Sequence, residues 1–94
     1  ENGGPIVALG RFWQVVPWPY NDKDKAMEFY REFQQTPYFK TSHGVAAHVY
    51  MAEILADQWG SEPKKEARQL LAEAISLTDN PYWEKRANQI LDEM

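Results

Sequence analysis

Apolar residues recur every three to four positions along almost the whole chain, and that period commits it to helices rather than strands. Ala67, Leu70, Leu71, Ala74 and Ile75 fall at i, i+3, i+4, i+7 and i+8, the stripe of an amphipathic helix. Gly60-Ser61-Glu62-Pro63 marks its start: Ser61 offers an oxygen to orphan amides, Glu62 suits the positive end and Pro63 fits a first turn. Trp83, Ala87, Ile90, Leu91 and Met94 repeat the pattern behind Asn80-Pro81, a natural cap and a natural first helical residue. Val45 to Trp59 is apolar over most of its circumference, as a helix buried between others must be. Ser42 or Thr41 stands ready to cap it, and Gly60 to end it.

Upstream, Asn21-Asp22-Lys23-Asp24 opens a helix with Ala26, Phe29, Tyr30 and Phe33 on one face, closed by Pro37. The first segment, Ile6 to Val16, is ambiguous, because its β-branched residues and Gly10 also allow a strand. Ile6, Leu9, Trp13 and Val16 keep the helical interval, and four helices downstream favour a fifth. Pro17-Trp18-Pro19 then breaks the chain sharply. The expectation is an all-α chain with helices near residues 6–16, 22–35, 43–59, 62–77 and 81–93, and residues 1–5 as a disordered, flexible stub.

Composition narrows the function classes. The 94 residues suffice for one domain, and the many aromatic residues, four of them Trp, thicken a core that would otherwise be thin. Without Cys there is no disulfide framework, thiolate metal site or cysteine nucleophile. The net charge of −4 builds no basic surface, so nucleic acid is not an expected partner. No apolar run reaches the ~20 residues a membrane-spanning helix needs.

An internal repeat lies beneath the helices. Leu9-Gly10 aligns with Met51-Ala52 at an offset of 42, and Ala26 with Ala67 and Tyr30 with Leu71 at an offset of 41. Each unit thus has a large-then-small pair in its first helix, and an Ala followed four residues later by a large side chain in its second. Small residues let paired helices approach, and large ones fill the space between. One helix pair cannot bury its own apolar face, so pairs must stack. With Ala74 as a second small residue, and Pro37 and Pro81 after the second helices, the pattern resembles the tetratricopeptide repeat. It departs in its repeat length of 41–42 residues, in Phe33 at a small position, and in the long Pro17–Tyr20 turn. That turn looks like short bacterial repeat proteins that are membrane-anchored or periplasmic, some associated with solute transporters. The resemblance implies repeat one over 6–41, repeat two over 42–80 and a capping helix over 81–94. It also implies a concave groove lined by Arg11 and Gln14 on the first helix and by Tyr50, Glu53 and Asp57 on the third, with Trp18 at the lip.

Little in the chain points to catalysis. Neither a Gly-rich phosphate loop nor a Gly-x-Ser-x-Gly elbow is present, and the adjacency of Ser42 and His43 does not orient them for proton transfer. His43 and His48 are five apart, roughly 140° round a helix, where a metal pair shares a face at three or four. The plain reading is one loop histidine and one packed or surface histidine. Glu53 and Asp57 stand at i, i+4. Such a pair does acid–base work if burial separates the two groups, holds a cation loosely, or forms a solvated face. With Tyr50 on the same stripe, a binding face is the functional reading that fits. It should then be open to solvent rather than covered by the last helix, and losing both acids should cost no more than about 1 kcal/mol. Trp18 and Tyr20 either anchor a partner or fold back on the chain's own edge. Trp13, Phe29, Tyr30, Phe33, Trp59 and Trp83 lie on apolar faces and are expected in the core. The expectation is a non-catalytic module, without metal or cofactor, that binds a peptide or protein through its groove. The alternatives are an accessory subunit stacked on a larger complex, with self-association possible, and, behind both, a small metal or enzymatic site.

Overall fold

The computed structural model describes residues 3–94, and these contain five α-helices and no strand. In chain order they are α1 (Gly4–Val15), α2 (Lys23–Gln34), α3 (Val45–Asp57), α4 (Ser61–Leu77) and α5 (Pro81–Glu93), with a 3-10 turn over Ser42–Gly44 leading into α3. Helix α1 packs on α2 and α3 on α4. Helix α3 lies between α2 and α5, and α5 also packs on α4.

Local chemistry sets the boundaries. Asp22 accepts from the Lys25 amide at 2.9 Å and Asn80 from the Tyr82 amide at 2.9 Å, each satisfying an orphan donor of the helix it precedes. Helix α1 begins earlier than its sequence stripe. Gly3 takes a left-handed conformation at φ 78°, and Pro5 occupies the first turn, where its missing amide costs nothing. Gly4 and Pro5 are therefore helical and not part of a disordered stub, while Glu1 and Asn2 lie outside the described residues. Thr41 accepts from the His43 amide at 3.2 Å and caps the 3-10 turn, so α3 proper starts at Val45. Ser61 does not cap α4. Gly60, at φ 109°, holds the cap position with no side-chain bond, and Ser61 is already in the first turn.

One core joins the helices. Ala26, Tyr30 and Phe33 of α2 meet Val49, Met51, Ala52 and Leu55 of α3, Ala67, Leu71 and Ala74 of α4, and Ala87 and Ile90 of α5. The small-against-large pairing of α1 with α2 is direct: a Cβ added to Gly10 would stand 2.5 Å from the Tyr30 ring. Of the aromatics expected inside, Tyr30 and Phe33 are fully buried, and Trp13 and Trp83 are half-buried against the core. Trp59 is 97 % exposed, contrary to the expectation. Helix α3 ends at Asp57, and extended Gln58 (ψ 148°) swings the next residue off the helical stripe into solvent. Phe29 sits on the flank of its helix and is half-buried outside the core cluster. Phe39, in the long α2–α3 connection, is buried edge-on to Phe33.

Candidate binding recess

The site is built around Glu53, on the one stripe of α3 that is not wholly apolar. Its side chain is 17 % exposed, and both carboxylate oxygens are spoken for. Arg11 of α1 donates from Nη1 to Oε1 at 2.8 Å, and Gln14 donates from Nε2 to the same oxygen at 3.0 Å. Arg86 of α5 donates to Oε2 from Nη2 at 3.1 Å and from Nε at 3.3 Å. An acid this far from water needs such partners, and here two guanidinium groups and an amide supply them.

A second tier fixes the first. Tyr30 donates its hydroxyl to Gln14 Oε1 at 2.7 Å, which commits the amide nitrogen of Gln14 to Glu53. Burial pushes the Tyr30 and Tyr50 hydroxyls above their ordinary range, with the nearby Arg11 charge opposing, so both stay protonated near neutrality. The Arg11 guanidinium lies 4.1 Å from the Tyr50 ring centroid, and Trp83 meets that ring edge-on at 5.6 Å. Four helices thus contribute to one hydrogen-bonded and stacked network, and no buried side-chain polar atom of the described residues lacks a partner.

This network floors a recess of about 380 Å³ whose walls include Arg11, Gln14, Lys23, Glu53, Asp57 and Arg86. Four of the six residues expected at a groove therefore meet there: Arg11, Gln14, Glu53 and Asp57. Tyr50 lies beneath Arg11 as support, not as lining. Trp18 is 82 % exposed on the α1–α2 loop and outside the lining. The two acids differ in role. Asp57 is exposed, with only Lys23 Nζ nearby at 3.7 Å, whereas Glu53 is tied to the last helix through Arg86. The stripe is therefore not uniformly open, and the last helix does reach over part of it. Arg86 was hidden from sequence reasoning because α5 is legible only through its apolar stripe. A shielded acid at Glu53 demanded a cationic partner, but spacing could not say that it would come from 33 residues away.

A second polar cluster lies on the other side of α3. His48 is fully buried, its ring stacked on Phe39 with centroids 3.9 Å apart. Nδ1 is 2.7 Å from the Gly44 carbonyl oxygen and Nε2 is 2.6 Å from Glu73 Oε1. A carbonyl only accepts, so Nδ1 is the donor to Gly44, and Nε2 faces the Glu73 carboxylate. Lys40 donates to the other Glu73 oxygen at 3.1 Å. Partial burial pushes the Glu73 carboxyl up, but the hydrogen bonds from His48 and Lys40, with their charges, outweigh it and hold the group below its ordinary value. His43 is exposed in the 3-10 turn, so the two histidines do not converge. Among the described residues, no three His, Asp or Glu side chains gather as a metal would require. Among the described residues no helix is long and apolar enough to cross a membrane. No protein-family model, curated protein or solved structure matches the chain.

Proposed function

We propose that this chain is a non-catalytic interaction module of the tetratricopeptide-like kind, which takes a peptide segment of a partner protein into the recess between α1, α3 and α5. The observation that carries the reading is the pinned floor of that recess. Glu53 is neutralised by Arg11 and Arg86, and so is poorly placed to act as a base or nucleophile. It holds the two guanidinium groups in fixed positions instead. Arg11 keeps N–H groups beyond the one it gives Glu53, and these suit the carbonyl oxygens of an extended chain. Asp57, at the recess wall, offers a free acceptor for a peptide N–H or a cationic side chain. A fixed array of donors and acceptors lowers the ordering cost of binding.

Selection from a random peptide library displayed on phage tests this. The expected result is peptides whose binding falls at least tenfold in Asp57→Lys. Backbone amide shifts in the labelled protein should then move around Arg11, Glu53 and Arg86. A selection that yields no peptide dependent on these residues would sink the reading. The accessory-subunit alternative is favoured by a different observation: Trp18 and Trp59 are almost wholly exposed on the α1–α2 and α3–α4 connections. Lys23 and Asp57, which flank those connections, approach each other, so both lie at one end of the bundle. Large aromatics there suit a docking end.

A further inference from the structure

We infer that the outer face of α1 is a homotypic docking surface, on which a second copy of this chain packs its own α1 in antiparallel orientation. Pro5, Ala8, Leu9 and Phe12 stand at i, i+3, i+4 and i+7 and share one side of the helix. All four are exposed, Leu9 at 47 % and Phe12 at 52 %. Helix α1 is the only helix of the described residues with more than one exposed large apolar side chain. This side differs from the one that sends Arg11 and Gln14 to the recess.

The chain itself shows what such a face requires. At the offset of 42, Pro5, Leu9 and Phe12 correspond to Ala47, Met51 and Ile54 of α3, and all three are buried. Helix α3 has helices on both sides, α2 and α5, and along its length α4. Among the described residues no helix lies over the same face of α1. The expected cover is therefore another helix, at the 8–10 Å separation of packed pairs.

Two features select a second copy as that helix. The first is charge. The protein carries −4, but the face carries none, and α1 has no acidic residue. Two copies therefore meet there without like charges opposed, which a twofold contact demands because each patch faces itself. The second is shape. Gly4 and Ala8 make the N-terminal half shallow, and among the described residues nothing stands within 4 Å of a Cβ placed on Gly4. Phe12 makes the other half prominent. An antiparallel twofold centred near Ala8 sets each Phe12 into the hollow at the other copy's Gly4. A single helix stripe is smaller than the ~800 Å² per partner of a standard interface, so the dimer is weak and forms at high concentration.

Sedimentation equilibrium on the full chain, from about 10 μM to about 1 mM, tests this in the range where a small interface dissociates. The average mass should climb from that of a monomer to that of a dimer. Phe12→Asp should weaken the dimer at least tenfold with helix content unchanged by circular dichroism. Ala8→Asp and Ala8→Lys should each be monomeric, and an equimolar mixture should dimerise again, because the position faces its own copy across the axis. A wild type that stays monomeric throughout overturns the proposal, and leaves the face to a different partner helix. A dimer indifferent to Phe12→Asp and to both Ala8 variants, or assembly beyond two copies, overturns it equally.

Discussion

The two sides of α3 stabilise the molecule by different means. On one side His48, Ala52 and Leu55 are buried against their neighbours, and that side works by exclusion of water and close fit. On the other, Tyr50, Glu53 and Asp57 grade from half-buried to exposed, and the links to α1 and α5 run through hydrogen bonds and charge. Both sides contain a tied carboxylate network. Glu73 closes over a buried histidine, whereas Glu53 leaves a recess open above it. Apolar packing seals a helix pair, while polar clamping joins helices across a gap that stays open.

The largest test of this contrast is on the sealed side. Leu71 of α4 is fully buried. Leu71→Ala should cost about 2–5 kcal/mol in urea unfolding, the usual consequence of emptying a packed site. A loss under about 1 kcal/mol would mean that the second helix pair is loosely fitted. Next comes Glu53→Ala, which strands the amide of Gln14 and sets Arg11 and Arg86 against each other. Because both guanidinium groups are about one-third exposed and water can reach them, about 1–3 kcal/mol is expected. Were the loss negligible, the clamp would be ornamental and the recess floor mobile.

Acid should act more gently, and first through the sealed side. Glu73 and Glu66 both titrate below the ordinary 4.5, Glu66 because Arg31 hydrogen-bonds to its carboxylate. A lowered folded pKa means that the unfolded chain takes up protons first. The stability these groups confer is thus present above about pH 4.5 and lost as pH falls through their folded values. Melting temperatures followed from pH 6 to pH 3 should drop below about 4.5, and Glu73→Gln should flatten part of that drop. An unaltered profile in Glu73→Gln would show that the His48 contact does not depend on charge. The smallest effect belongs to Asp57→Ala, which should shift stability by no more than about 0.5 kcal/mol because the side chain is solvated. A larger loss would erase the distinction drawn between the two acids of the stripe.

The recess was legible in part. Spacing put Tyr50, Glu53 and Asp57 on one stripe, and only the resemblance to the tetratricopeptide repeat implied Arg11 and Gln14 beside it. Arg86 and Lys23 were not legible, since a charged residue on a helix flank gives no periodic signal. Nor could spacing separate the two carboxylates. Their difference arises from which one α5 reaches, and that depends on where the fifth helix docks. Trp59 misled for a related reason. Its interval fits the apolar stripe of α3, but the helix stops two residues short of it.

The sequence by itself determined the class and the number of the helices, their approximate ends, and which pairs would close on small residues. Those follow from local preferences and from a 3.6-residue period that any apolar stripe must obey. Only the tertiary structure decided which equivalent faces are covered. Met51 is buried and Leu9, 42 residues before it, is half-exposed, although both precede a small residue at the same point of a helix. Burial is a property of neighbours, and among the described residues α3 has helices on both sides where α1 has them on one side only. The same holds for the charges: Glu53 became a clamp because α1 and α5 each bring an arginine within hydrogen-bond reach, a condition set by packing and not by spacing.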